Sequence, residues 1–167
     1  MLMASMIAAS SVARSEPMPE YDDIYLGVFD NADYYIAKAD KRQRMLAKNV
    51  YQNVGAASIN GAENTALLVD AGVSPAADYC VGLGYHFPSD EELEWIIPMA
   101  STIDAQDDSG GTATFAGMVA EYVLAWTSKE HGTNTIKMLY RYINNNGWGA
   151  GAGNGLECWV IPVRRVV

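Results

Sequence analysis

The chain has 167 residues, of which 50% are hydrophobic and 19% charged, and its formal net charge is -9. A chain of this length and apolar content can bury a sizeable core, which excludes disordered, collagen-like and coiled-coil proteins. A duplex-binding surface needs clustered Lys and Arg, so we expect no nucleic-acid partner. No run of about 18 apolar residues occurs, so we expect no membrane span.

The charges are unevenly distributed along the sequence. Residues 49–128 contain eleven acidic side chains and no Lys or Arg, whereas the basic residues cluster at 38–48 and after Ser128. A fold that brings the two basic segments onto the acidic middle would pair these charges internally. We expect such pairing before any role in attracting a ligand.

The first third of the chain predicts an arm and a hairpin. Residues 1–20 begin apolar and end in a polar segment with two prolines, which favours an N-terminal helix or arm ahead of one domain at 21–167. Aromatic and β-branched residues at 24–29 and 34–37 flank Asp30 and Asn31, a pattern typical of a β-hairpin. Residues 61–72 fit either a helix or a strand.

A short helix is predicted at residues 76–81. Ser74 before Pro75 is typical of an N-cap followed by proline in the first turn, and Gly82 and Gly84 suit the helix exit.

A second helix is predicted from Asp90 to about Ile97. Ser89 and Glu92 have the spacing of a capping box, and the stripe Leu93, Ile96 and Ile97 is expected to be buried. The acidic side chains at 90–94 are expected to be a solvated helix cap rather than catalytic carboxylates, because no apolar pocket is implied around them.

The C-terminal third predicts a β-sheet. Residues 122–127, 135–143 and 157–164 have the β-branched and aromatic weighting of strands, with Trp126 and Trp159 in the core. Residues 144–155 include five glycines and four asparagines and are predicted to be a loop.

Residues suited to catalysis or metal binding are few. Cys80 and Cys158 are either two buried thiols or one disulfide, and their separation excludes a CxxC site. His86 and His131 lack partners at metal-ligand spacing. No nucleotide-binding, hydrolase or metalloprotease motif occurs. We therefore expect a protein without enzymatic activity, cofactor or bound metal.

Four short segments, in order, resemble a known group of proteins: AADYC (76–80), LGYHFPSDEEL (83–93), WTSKE (126–130) and VIPVRR (160–165). They resemble bacterial and phage ligand-binding modules of C-type lectin fold. That group includes the C-terminal domain of a collagen-like adhesin, pilus-tip and tail-fibre binders, and variable proteins of diversity-generating retroelements. The resemblance implies an α+β fold of short helices packed on twisted antiparallel sheets with long irregular loops.

Three departures from that group limit what the resemblance implies. The segment Tyr85-His86-Phe87 and the absence of an Arg before Pro162 remove arginines that the group carries. The strand at Trp126 lacks the carboxylate of calcium-dependent sugar lectins, so calcium-mediated binding is not expected. The distantly related formylglycine-generating enzymes need a close cysteine pair, and only Cys158 lies in the last third of this chain.

By this resemblance residues 129–155 form the ligand-facing surface. Aromatic and amide side chains there match the composition of an antibody paratope. The candidate ligand-binding residues are Asn134, Tyr140, Tyr142, Asn144, Asn145, Asn146, Trp148 and Asn154. The expected partner is a protein or glycan on another cell or host, and the expected location is extracellular, on a cell surface or on a phage particle.

Three alternatives stay open at this point. About half of the strand at 135–143 must face the core, and the glycine-rich segment also suits an ordinary loop. The chain could instead be an assembly subunit of a pilus or fibre, forming homo-oligomers through its N-terminal segment. A degenerate formylglycine-generating enzyme would need a reactive thiol.

Overall fold

The computed structural model describes residues 21–120, 123–143, 147–151 and 155–167. The arm predicted at 1–20 lies outside these residues. The described helices are α1 (Gly61–Asp70), α2 (Pro75–Gly82), α3 (Asp90–Ile96), α4 (Ala100–Gln106) and α5 (Phe115–Ala120). The described strands are β1 (Ile24–Phe29), β2 (Ala32–Ile36), β3 (Gln43–Leu46), β4 (Leu124–His131), β5 (Asn134–Tyr142), β6 (Trp148–Gly151), β7 (Glu157–Val160) and β8 (Val163–Val166).

The strands form two sheets, so the fold is of the mixed α+β class. The smaller sheet has the order β1-β2-β8 and is antiparallel. The larger has the order β3-β7-β4-β5-β6, in which only the β4 and β7 pair is parallel. None of the helices in the described ranges combines the length and apolar character of a membrane span.

The predicted hairpin is confirmed as β1 and β2. Asp30 and Asn31 connect the strands with φ values of 46° and 59°, the left-handed geometry that a two-residue hairpin turn requires. A register shift between Tyr25 and Gly27 marks a β-bulge in β1. Such a bulge protects an edge strand from pairing with another chain.

The helix-start signals are also confirmed. Ser74 accepts the amide of Ala77 at the start of α2, and Ser89 and Glu92 form a complete capping box at the start of α3. The ambiguous segment at 61–72 contains a helix, α1. Asn60 caps it by accepting the amide of Ala62.

Two predictions for the C-terminal sheet were wrong in part. The segment 157–164 is two strands, because Pro162 has no amide to donate and the chain passes there from the larger sheet to the smaller. The segment 144–155, predicted to be a loop, contains strand β6, which pairs with β5 from Met138 opposite Gly151 to Arg141 opposite Trp148. Strand β3 and helices α4 and α5 were not predicted.

The larger sheet separates two apolar cores, because successive side chains on a strand point to opposite faces. The first core, on the α1 and α2 side, includes Leu68, Phe87, Trp126, Met138 and Val160. The second, on the side of α3, α4 and α5, includes Ile36, Leu93, Ile96, Ile103 and Phe115. Trp126 is fully buried as predicted, whereas Trp159 is half-buried against the second core.

The expected pairing between the acidic middle and the basic flanks is present. Lys129 contacts Glu91 and lies 3.1 Å from Asp90, and further pairs join Lys38 to Asp108 (2.6 Å), Arg42 to Asp107 (3.3 Å) and Arg141 to Glu94 (3.3 Å). These contacts tie the segment after β2, together with β4 and β5, to α3 and to the segment that follows α4.

Candidate binding surface

The candidate ligand residues that the structure describes lie on β5 and β6, at one edge of the larger sheet. Asn134 begins β5 and is half-buried, and Tyr140 lies near the other end of that strand. The backbone at Tyr142 and Trp148 belongs to β5 and β6, but their side chains lie outside the described part of the structure. Asn144, Asn145, Asn146 and Asn154 lie outside the described residues altogether.

The strand register separates these candidates into two groups. Asn134 pairs with His131 at one end of β5, whereas Arg141 pairs with Trp148 near the other. The eight steps along β5 from Asn134 to Tyr142 cover roughly 26 Å at about 3.3 Å each. Asn134 therefore cannot contact the same small ligand as residues at the β5–β6 turn, although one protein surface could span both.

Tyr140 is first of all a packing residue. Its ring lies edge-on to Trp126, with centroids 5.4 Å apart, and it packs against the first core. It also lies over Gly149 on β6, where a Cβ atom would come within 2.6 Å of the ring carbon Cζ. The aromatic ring covers the backbone of a glycine on the edge strand, an arrangement that fixes strand register.

A second group of exposed residues was missed by the sequence prediction. Residues 49–53, with the sequence NVYQN, are all exposed, and the exposed fractions of Val50 and Tyr51 are 47% and 53%. The segment runs into Ala56, whose carbonyl accepts the amide of Glu130 (2.8 Å), one residue before the end of β4. We call residues 49–53 the display loop.

A buried ion pair holds the display loop from both sides. Lys48, which precedes it, contacts both the carbonyl of Gln52 and the carboxylate of Glu130. That carboxylate also accepts three backbone amides, from Val54 (3.1 Å), Gly55 (2.9 Å) and Ala56 (3.1 Å). Because both charges are buried and fully engaged, the ion pair fixes the loop's backbone while leaving its side chains in water.

Glu92 is also a buried structural group, which corrects the prediction of a solvated cap. Its Oε1 accepts the Tyr34 hydroxyl (2.7 Å) and the Gly61 amide (3.0 Å). Its Oε2 accepts the Ser89 amide (2.9 Å) and lies 3.1 Å from His86 Nε2. Burial alone would raise the pKa of Glu92, but these hydrogen bonds outweigh it and lower the pKa below its ordinary value.

The other acids at the start of α3 behave differently. Asp90 and Glu91 both pair with Lys129 on β4, and the Asp90 to Lys129 distance is 3.1 Å. Burial, with a further contribution from Glu91, raises the pKa of Asp90 to about 6. The pKa of Glu91 is lowered, because hydrogen bonds from Asp90 and Lys129 outweigh its burial. As the pH falls, Asp90 therefore takes up a proton before Glu91 does.

The cysteines are two buried free thiols, one of the two alternatives left open by the sequence. Burial raises the pKa of Cys158 to about 12 and that of Cys80 further still. Thiols with such pKa values are not ionised near neutral pH and are poor nucleophiles. Within the described ranges, no group of three His, Cys, Asp or Glu side chains is placed to hold a metal ion.

Known proteins give no guide to this chain. No family model, curated protein or solved structure matches it. The α+β class follows from the strands and helices of the structure itself, and the C-type lectin resemblance stays a prediction.

Proposed function

We propose that this chain is a non-enzymatic binding protein on a C-type-lectin-like scaffold. Its ligand is a protein or glycan on another cell or host, bound by exposed Tyr, Asn, Trp and Gly residues. The observation that carries the proposal is the use of the glutamates in two of the family-like segments, Glu92 and Glu130. Each is buried and makes four polar contacts within the protein, so both serve the scaffold and neither is available to a substrate.

The composition of two segments supports recognition. The display loop offers Tyr with Asn and Gln, and the segment 144–154 offers Asn, Trp and Gly. Tyrosine and tryptophan give large contact areas with few rotatable bonds, while amides give adaptable hydrogen bonds. A loop held by a buried ion pair loses little conformational entropy when it binds, which favours affinity.

A degenerate formylglycine-generating enzyme is less well supported. That alternative needs a reactive cysteine, and the raised pKa values of both thiols oppose it. The alternative of a pilus or fibre subunit depends on residues 1–20, which lie outside the described residues.

The proposal is tested by removing aromatic side chains from the candidate surface. The double variant Tyr142→Ala with Trp148→Ala should weaken binding to a host-cell panel and a glycan array by at least about tenfold, since a hot-spot aromatic is worth about 2 kcal/mol. Its melting temperature should stay close to that of the unchanged protein. Val28→Ala, which alters a 63% exposed side chain on β1, is the matched control. Unfolding of the double variant would mean that these rings are core residues.

We further propose that the Tyr, Asn, Trp and Gly surface is diversified by a retroelement, as the resemblance to retroelement variable proteins implies, and this part has a separate test. Sequencing the genomic neighbourhood should reveal a reverse transcriptase and a near-copy of the 3′ coding end that differs only at adenines. A locus without either would remove diversification from the proposal but leave the binding function open to the first test.

A further inference from the structure

A pocket lies beside the indole of Trp159, between the 107–114 loop, α5 and β7. Its volume is about 200 Å³. It is lined by Thr112, Ala113, Thr114, Gly117, Met118 and Trp159. Thr112 is exposed at its rim, whereas Ala113 and Met118 are buried.

The walls of this pocket are fixed by polar contacts behind them. The Ala113 carbonyl accepts Arg42 Nη1 (3.0 Å), and the same guanidinium lies 5.1 Å from the centroid of the Phe115 ring. The carboxylate of Asp104 accepts the amides of Phe115 (2.8 Å) and Ala116 (2.6 Å), which holds the first turn of α5. These contacts hold the loop and the helix in place without a ligand, so little conformational entropy is lost there when a ligand binds.

The volume fits one six-membered ring. Pockets for drug-sized ligands occupy about 300–1,000 Å³, whereas a cavity of about 150 Å³ is enough to hold benzene. A disaccharide or a nucleotide would therefore extend far into solvent. A single ring with its substituents, about a dozen heavy atoms, matches this volume.

The lining selects among single rings by its chemistry. None of the six lining residues carries a charge, which favours a neutral ligand. Trp159, Met118 and Ala113 give an apolar wall, whereas Thr112 and Thr114 add hydroxyl groups. Thr114 Oγ1 accepts the Gly117 amide (3.1 Å), so its own proton can be donated to a ligand. An aromatic hydrocarbon ring would match the apolar wall alone, whereas a sugar ring matches that wall with its C–H face and the two Thr hydroxyls with its own hydroxyl groups.

We propose that the pocket beside Trp159 binds one neutral pyranose ring without a metal ion. The site is independent of the proposed ligand surface, because it lies on the second-core side of β7 and includes no residue of the 129–155 segment. Failure of one proposal therefore leaves the other standing. A ligand of about a dozen heavy atoms in such a pocket should have a dissociation constant on the order of 1 mM.

The test uses ¹⁹F NMR of the full chain labelled with 5-fluorotryptophan. The sequence has four tryptophans, and Trp159→Phe identifies the resonance of Trp159. The protein is titrated with the methyl pyranosides of glucose, galactose and mannose. Sorbitol, an open-chain polyol, controls for solvent effects, and p-cresol represents an aromatic side chain.

The design includes a variant that fills the pocket. Gly117→Leu places a side chain in it, and the nearest atom to the new Cβ would be Thr114 Oγ1 at 3.1 Å. Gly82→Leu, on α2 with open space around its Cβ position, is the matched control. Thr112→Val removes one exposed hydroxyl and serves as the second variant if Gly117→Leu does not fold.

The expected result is a saturable shift of the Trp159 resonance with at least one pyranoside and none with sorbitol. Gly117→Leu should weaken this binding at least tenfold and Thr112→Val at least threefold, while Gly82→Leu should leave it unchanged. A response to p-cresol alone would identify an apolar anchor pocket and overturn the proposal. No response to any compound, or a pyranoside response that survives both pocket variants, would also overturn it.

Discussion

Replacing Glu92 with Gln perturbs the central hydrogen-bond network of the scaffold while keeping the size of the side chain. The carboxylate faces two backbone amides, Gly61 through Oε1 and Ser89 through Oε2. A glutamine must place its NH2 group at one of these two positions. Tyr34 can rotate its hydroxyl and His86 can change tautomer, but a backbone amide cannot become an acceptor.

The magnitude follows from that geometry. Either orientation of the glutamine leaves one buried amide facing an NH2 group, which costs about 1–3 kcal/mol. The remaining hydrogen bonds also weaken, because bonds to a charged acceptor are stronger than bonds to a neutral one. We expect Glu92→Gln to lose about 3 kcal/mol of unfolding free energy and about 6–12 °C in melting temperature.

The assay is urea unfolding followed by circular dichroism, with Glu157→Gln, at an exposed position of β7, as the control. The folded pKa of Glu92 lies below its ordinary value of 4.5, so its stabilising effect is complete above that pH and is lost as the pH falls through the folded pKa. The difference between the variant and the unchanged protein should therefore narrow in acid. If Glu92→Gln loses less than about 1 kcal/mol of unfolding free energy at pH 7, the hydrogen-bond network around Glu92 is refuted.

Three further changes test other parts of the scaffold. Glu130→Ala leaves Lys48 buried without its partner and should lower the free energy of unfolding by about 3–5 kcal/mol. Limited proteolysis should show new cleavage at residues 49–56. Protease resistance equal to that of the unchanged protein would contradict a loop held by the Lys48 and Glu130 ion pair. Gly149→Ala should lower the free energy of unfolding in urea by about 1–3 kcal/mol, because the new methyl group meets the Tyr140 ring. Gly132→Ala, whose methyl group would meet nothing within 4 Å, should lower it less. Asp90→Asn tests the raised pKa of about 6 at the Asp90 carboxyl group. Because the folded state binds the Asp90 proton more tightly than the unfolded state, the unchanged protein loses unfolding free energy as the pH rises from 3.8 to 6. The variant should lose less unfolding free energy over that pH range, and identical pH profiles in urea unfolding would refute the raised pKa.

Local signals in the sequence were sufficient for the elements whose causes are local. The turn at Asp30 and Asn31, the N-cap at Ser74 and the capping box at Ser89 each depend on residues within a few positions of one another. Their partners are adjacent in the chain, so the sequence alone predicted them correctly.

The roles of the two glutamates could not be predicted in the same way. Glu92 bonds to Tyr34, 58 residues earlier, and Glu130 bonds to Lys48, 82 residues earlier. Burial of a carboxylate depends on these distant partners, and an acidic residue in a first helical turn is usually exposed. Strand β6 was missed because glycine is typical of loops, although Gly149 is needed where the Tyr140 ring lies on the strand.

The amino-acid composition of the display loop is a signal that the sequence alone contains. Its sequence of neutral amides with Tyr51 has the same paratope-like composition as residues 144–154. What the sequence could not supply was the buried pair of Lys48 and Glu130 that holds it.

The most direct test of the account is a folding selection on a displayed library. One library randomises Asn134, Tyr142, Asn144, Asn145, Asn146, Trp148 and Asn154, and a matched one randomises seven buried scaffold positions, including Glu92 and Glu130; both are sorted for resistance to protease. We expect most members of the first library to survive and nearly all members of the second to be lost. Equal loss from both libraries would contradict a scaffold whose recognition residues vary without cost to folding.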